Sequence, residues 1–267
     1  MSPARSKKSG VARNLAYHEV TAAEPLYLYG VSANRFKMHV QRISQMNSIS
    51  SASASPVQIS FDDGHASQFE FALPVLQEFS VKAQFFITAG WTEKRNGYMS
   101  WAQLAELAAL GHDVQAHGWS HKLLTQCSDD ELEEELKRSK GEMENHLGKK
   151  VDALSAPGGR CNKRVLAACT RIGYRCIFTS DPWSERECQQ DIDIFGRWMV
   201  TRQMNEIRLG NMVEGKGLGF QHAKYLMKET AKKVLGDRAY QSLWRSLSRK
   251  NESLERTEEK TPDSARI

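Results

Sequence analysis

Long apolar runs, paired cysteines and a large charge excess are all missing from this chain of 267 residues. Without a stretch of eighteen apolar residues, no helix of membrane-spanning length is expected. The five cysteines (127, 161, 169, 176 and 188) are odd in number and show no CxxC spacing. That argues against both a disulfide framework and a cysteine zinc site, and fits a reducing compartment. Lysine and arginine total 37 against 32 acidic residues, a net charge of +5. The basic residues gather at the two ends, so the basic stripe of a nucleic-acid binder is absent and no nucleic-acid partner is expected. Met1 to Asn14 is basic but lacks the apolar core of a secretory signal, which points to a cytoplasmic protein.

What is present is the composition of an ordinary globular protein, 40% hydrophobic and 26% charged. The length suits a single α/β barrel. Residues 1–14 read as a disordered basic arm, and Leu15 to His18 as a short strand. A helix is predicted over 33–46, where Phe36, Val40 and Ile43 recur at helical spacing. The Ser-, Ala- and Asn-rich stretch from Met46 to Pro56 reads as a linker into a strand at 57–61.

Strands and helices then alternate. Capping boxes are predicted at Ser67, Ser100 and Ser128, and helices are expected to stop at Gly111, Gly148 and Gly173. Strands fall at 83–87, 112–116, 151–154 and 175–179, with one more strand or a pair over 192–200. The alternation implies parallel strands with right-handed crossovers. Residues 221–250 form a helical extension and 251–267 a charged, disordered tail. The extension, with Leu226, Val234, Leu235, Leu243, Trp244 and Leu247 among lysines and arginines, can pack on the barrel. It can equally lie on an anionic membrane, which would place the protein peripherally at the inner membrane face.

The chemistry concentrates at strand ends. Val57 to Phe61 runs into Asp62, Asp63 and Gly64. Alone, this reads equally as an Asp-Gly turn. Neighbouring strand residues point in opposite directions, so two carboxylates used chemically would divide the work, one holding a metal and one taking a proton. His117 and His121 stand four apart. Two neutral imidazoles and a carboxylate suit zinc or a similar ion and leave positions open for water and substrate. Asp62 and Asp63, then His117, then Pro157 and Gly158, all follow C-terminal strand ends, where a β/α barrel carries its active site.

Together these stretches resemble the polysaccharide deacetylase family, also called the NodB-homology domain or carbohydrate esterase family 4. Ser60-Phe61-Asp62-Asp63-Gly64 is similar to its first motif. His117 and His121 match its second, with Gly118 where Ser or Thr is usual. Tyr17-His18, Leu73-Pro74-Val75-Leu76, Ala83 to Ile87 and Gly111-His112-Asp113 extend the likeness over about residues 15–200, within a barrel domain taken as 15–220. The resemblance implies an irregular (β/α) barrel and metal-dependent removal of N-acetyl groups. It makes Asp63, His117 and His121 the ligands of a divalent ion, zinc first, with cobalt, nickel or manganese as alternatives. It makes Asp62 the general base, and the partner an acetylated amino sugar in a polysaccharide, oligosaccharide or glycolipid precursor.

The pattern breaks in two places. Ser155-Ala156-Pro157-Gly158-Gly159-Arg160 keeps the third motif's Pro and Gly, and Pro157, Gly158 and Arg160 stand as substrate contacts, but serine replaces the motif's arginine. Arg160 and Arg197 are candidates to pair with Asp62 instead, although residue type alone favours a solvated or structural role for each. The histidine that would protonate the leaving amine has no clear counterpart. His222 is the one residue near the expected place, His65 reads as a rim residue, and His18 faces either the site or the core. Two other readings stay open: hydrolysis of a non-sugar C–N bond such as a cyclic amide, and a catalytically silent sugar-binding protein.

Overall fold

The computed structural model describes residues 12–49, 56–183 and 186–219, together with 223, 227 and 230. Two compact units divide the chain, 1–216 and 217–267, and every element below belongs to the first. His222, the basic arm up to residue 11, the tail and nearly all of the amphipathic stretch 221–250 lie outside the described residues.

The strands are β1 (Asn14–Tyr17), β2 (Glu19–Thr21), β3 (Gly30–Ser32), β4 (Gln58–Phe61), β5 (Ala83–Ile87), β6 (Asp113–Ala116), β7 (Ala153–Ser155), β8 (Cys176–Phe178), β9 (Arg186–Gln189), β10 (Ile192–Phe195) and β11 (Trp198–Met199). The helices are α1 (Ala33–Ile49), α2 (Leu73–Glu78), α3 (Trp101–Ala109), α4 (Asp129–Leu147), α5 (Lys163–Ile172) and α6 (Glu206–Val213). The main sheet runs β11-β1-β4-β5-β6-β7-β8-β10-β9, parallel throughout except for β9. Its inner strands are buried along almost their whole length, as a parallel sheet covered on both faces requires.

The irregular barrel expected from the sequence is present as this curled sheet, and a two-residue connection links strands near its two ends. Only Gly196 and Arg197 separate β10, near one end of the strand order, from β11 at the other. Three backbone steps reach about 10 Å at most. Asn14 Nδ2 also donates to Gly196 O at 3.1 Å, pinning the crossing to β1. Outside the sheet, Phe61 stacks on Phe85 at 4.9 Å, and Tyr17 and Phe36 pack beside them under α1. Inside, Phe86, Phe178 and Phe195 form the floor on which the polar residues rest.

Ser100 and Ser128 close the capping boxes predicted for them, and Asn162 caps α5 through Val165 N. Ser67 does not. Its hydroxyl contacts His65 Nδ1 at 2.8 Å and accepts from Val20 N at 3.2 Å, which turns it away from the helix start, and it makes no capping bond. A π-turn follows over Gln68–Ala72, a form often found beside functional sites. Pro74 then sits harmlessly in the first turn of α2.

α1 runs to Ile49, into the stretch expected to be a linker. Ser48 turns its hydroxyl back to Ser44 O at 2.9 Å, and Asn47 clamps Val57 N and O at 2.7 and 3.0 Å. Small polar residues that favour loops in isolation are thereby used inside a helix. Strands β2, β3 and β9 and helix α6 were not foreseen, because each is too short to carry a periodic signal.

Candidate metal centre and its buried ion pair

The two carboxylates after β4 are separated by backbone geometry. Asp62 continues the strand, its N–H donating to Tyr17 O at 2.9 Å, and its side chain turns into the barrel, 3% exposed. Asp63 then adopts φ 73° and Gly64 φ 85°, which turns the chain and aims the Asp63 carboxylate at the mouth. The left-handed region is costly for a residue with a Cβ, and such strain collects at functional sites.

Asp63 Oδ1 lies 3.3 Å from His117 Nε2 and 3.3 Å from His121 Nε2. One ligand atom from each of these three residues lies within 4.8 Å of the others. His117 Nδ1 is 2.8 Å from Ser155 O. A carbonyl can only accept, so Nδ1 carries the proton, and in the neutral form of the ring Nε2 offers its lone pair to the cluster. Such an outer contact fixes ring and tautomer at metal sites. Asp63 Oδ1 is buried and has no hydrogen-bond partner among the described residues. A buried anionic oxygen facing two imidazole nitrogens is a donor set suited to a divalent cation.

Electrostatics separate the members. Burial works against ionisation of Asp63, but the adjacent imidazoles, His117 foremost, outweigh it and hold the carboxyl below its ordinary value. Burial also disfavours charge on His117, yet Asp62 and Asp63 lift it above the usual imidazole value. His121, pushed by burial and by the His117 charge, falls to about 4.

Asp62 belongs to a second, buried cluster. Arg197 donates from Nη1 to Oδ1 and from Nη2 to Oδ2, both at 2.8 Å. Ser155 Oγ donates to Asp62 Oδ2 at 3.2 Å and accepts from Arg197 Nη2 at 2.7 Å; Ser60 Oγ accepts from Nη1 at 3.1 Å. The guanidinium also lies over the Phe86 and Phe178 rings, 5.3 and 5.8 Å from their centroids. Burial alone would raise the Asp62 pKa; the Arg197 charge, then His117, overcomes it and keeps the carboxyl well below the usual range.

Arg197 therefore pairs with Asp62, against the solvated or structural role that its residue type alone favours, and the serine in the arginine's motif position, Ser155, is its hydrogen-bond partner. Pro157 is buried, and Gly158 turns at φ 67° against Leu123. Arg160 ends the 3-10 turn begun by Pro157.

His18 follows β1 directly opposite Asp62, because Tyr17 is in register with Phe61. Gln68 Nε2 bonds both His18 O (2.7 Å) and Asp62 O (2.6 Å), tying the two backbones together. The His18 imidazole packs on Tyr29, and its buried Nδ1 has no hydrogen-bond partner among the described residues. Burial lowers its pKa, while the charges of Asp62 and Asp63 pull the other way.

His65 is held by Ser67 and Tyr98. Tyr98 packs edge-on to Trp91, and Trp91 lies over His121 at 5.2 Å. Tyr27 meets Tyr29 on another side, and burial, with the Asp63 charge as a lesser cause, raises the pKa of the Tyr27 and Tyr98 phenols. An aromatic rim thus surrounds the histidine–carboxylate cluster, and nothing in its scattered sequence positions announces it.

Residues 50–177 match the family model described as polysaccharide deacetylase. The chain is 29% identical over 126 residues to the putative polysaccharide deacetylase YxkH of Bacillus subtilis, covering 47% of this chain and 45% of that protein. It is 28% identical over 125 residues to a peptidoglycan-N-acetylglucosamine deacetylase of Bacillus cereus, covering 46% of this chain and 56% of that one. The chain spans about half the length of these curated relatives. In fold it resembles the Streptococcus pyogenes deacetylase PplD (TM-score 0.64, 22% identity, 77% of this chain and 99% of that one). It also resembles IcaB from Ammonifex degensii (TM-score 0.64, 22% identity, 78% of this chain and 98% of that one).

Proposed function

Residues 50–177 belong to the polysaccharide deacetylase family, and from that premise we propose that this protein removes N-acetyl groups from an amino sugar in a polysaccharide, oligosaccharide or glycolipid precursor. The observation that carries the reading is the unpartnered, buried Asp63 Oδ1 set 3.3 Å from each of two imidazole nitrogens, beside a second carboxylate that is kept ionised.

Asp63, His117 and His121 would hold a divalent ion, zinc by preference for this mixed nitrogen–oxygen set. When bound, such an ion polarises the amide carbonyl and lowers the pKa of water. Asp62 serves as general base. Its Oδ2 accepts from both Arg197 and Ser155, whereas Oδ1, among the described residues, accepts only from Arg197 and keeps a lone pair for the water proton. Arg197 holds the carboxylate in one orientation and keeps it ionised across the physiological range.

Release of the amine requires a proton at the leaving nitrogen, and His18 is our assignment for the group that delivers it. Its support is the free buried Nδ1 and the pull of the neighbouring carboxylates. Burial keeps the ring neutral at rest, so it donates only after negative charge developing on the carbonyl oxygen has drawn a proton to it, the one that the attacking water gives up. The aromatic rim supports a sugar over a small cyclic amide, because pyranose rings carry C–H patches that pack on aromatic faces.

The test is acetate release from N-acetylglucosamine oligomers, peptidoglycan fragments and acetylated glycolipids, with and without added zinc or cobalt. Ion-dependent release from one class supports the reading and names the substrate. No release from any of them by ion-loaded protein, with turnover of a cyclic amide instead, overturns it. A cytoplasmic location with peripheral membrane contact through 221–250 is also proposed, on the basic amphipathic pattern of that stretch. Liposome co-sedimentation unchanged by removal of 221–267 would reject the contact.

A further inference from the structure

The second histidine is delivered by a turn with no regular structure to template it. Between His117 at the end of β6 and His121, the chain passes through Gly118 at φ 76° and reaches His121 at φ 63°. A non-glycine residue in this region costs about 1–3 kcal/mol and persists only where its surroundings over-determine it.

Two elements do so. The carbonyls of Gly118 and Trp119 accept from Ala89 N at 3.2 Å and Gly90 N at 2.8 Å, in the loop after β5. The N–H groups on the other side go to one side chain, Glu135 of α4. Its Oε2 accepts from Trp119 N at 3.0 Å and Ser120 N at 2.9 Å, and its Oε1 accepts from the Ser120 hydroxyl. Glu135 is 4% exposed. Burying a carboxylate is expensive unless its lone pairs are filled, and here all its hydrogen bonds go to the turn between the two histidines.

Gly118 is required by its backbone, which turns at φ 76°. A Cβ built there would meet Glu135 Oε2 at 3.4 Å and Pro157 Cγ at 3.5 Å, with φ already positive. The turn that carries this glycine is the one whose next two N–H groups the buried glutamate holds. Outside the turn, Arg138 covers the Trp119 ring at 3.9 Å and Lys94 lies 4.9 Å from its centroid.

We propose that Glu135 is a positioning residue that locks the 118–121 turn and so sets His121 as a metal ligand. This rests on reading Asp63, His117 and His121 as a metal centre. The experiment is titration of chelator-stripped, full-length protein with cobalt(II), following visible absorption, with zinc competition for affinity and thermal unfolding in parallel. Wild type should bind one ion. Glu135→Leu should bind about 10–100-fold more weakly, the range for losing an outer contact at a metal site, and its spectrum should approach that of His121→Ala. Glu135→Gln should recover most of the affinity, because its amide oxygen can still accept both N–H groups.

Wild-type affinity and spectrum in folded Glu135→Leu would overturn the proposal, even with a lowered melting temperature. If Glu135→Leu does not fold, Ser120→Ala carries the test. It deletes one bond to the carboxylate, and a several-fold loss of cobalt affinity supports the role while unchanged affinity rejects it. Wild type that binds no divalent ion is a different result: it removes the metal-centre reading first, and the positioning role with it.

Discussion

Arg197 and Asp62, 135 positions apart, form a two-point ion pair with both contacts at 2.8 Å and almost no solvent access to either side chain. Such a pair is worth little as a net source of stability, yet breaking it strands a buried charge. Its value here is orientation. Two fixed hydrogen bonds hold the proposed base in one rotamer, and the positive charge keeps it ionised.

Arg197→Met should therefore destabilise the protein by about 3–5 kcal/mol, read as a shift in urea midpoint. Adding Asp62→Leu should recover part of that loss, because the stranded carboxylate is gone. Equal stability for single and double variants would mean that the pair does not carry the energy assigned to it.

Asp62→Asn and Asp63→Ala should separate base from ligand. Asp62→Asn lowers turnover by about 10²–10⁴-fold while cobalt affinity stays within a few-fold of wild type. Asp63→Ala loses the ion itself. Full acetate release by Asp62→Asn would remove it as the base.

Away from the site, His39 should make stability depend on pH. The buried ring lies 3.0 Å from Met204 O through Nε2 and 3.2 Å from the Tyr17 hydroxyl through Nδ1, so the neutral ring donates to the carbonyl and accepts from the phenol. Burial lowers its pKa from 6.5 to about 4. The unfolded state then binds more protons between those values, so this contribution is complete above pH 6.5 and is lost as pH falls toward 4. Its size is about 3 kcal/mol by linkage. Unfolding midpoints from pH 4 to 7.5 should fall with acid in wild type and fall less in His39→Phe. Parallel curves would reject the assignment.

The rim has a kinetic signature. Tyr27 is 44% exposed, so Tyr27→Ala should leave the fold intact. With aromatic contacts worth about 0.5–1.5 kcal/mol, KM for an acetylated oligosaccharide should rise about 2–10-fold, with kcat within twofold. Unchanged KM across chain lengths would take Tyr27 out of substrate recognition.

Much of this protein was written locally in its sequence. The alternating capping boxes of Ser100 and Ser128, the stop glycines and the apolar strands determined a parallel sheet with helices on it. Asp62-Asp63-Gly64 and His117–His121 declared themselves because each is a short motif at the end of its own strand. Such signals depend on neighbours a few residues away, and they survive being read one stretch at a time.

What only the tertiary structure decided depends on distance along the chain. Arg197 looks like any arginine until the crossing from β10 to β11 brings it across the barrel to Asp62. Ser67 looked like a cap until His65 and Val20 claimed its hydroxyl. Glu135 is one of six glutamates between 131 and 144 that resemble a solvated helix face, and only the packing of α4 on the β6 loop turns it inward. The physical reason is common to all three: a polar side chain takes its role from the partner that desolvates it, and that partner is chosen by the closed fold.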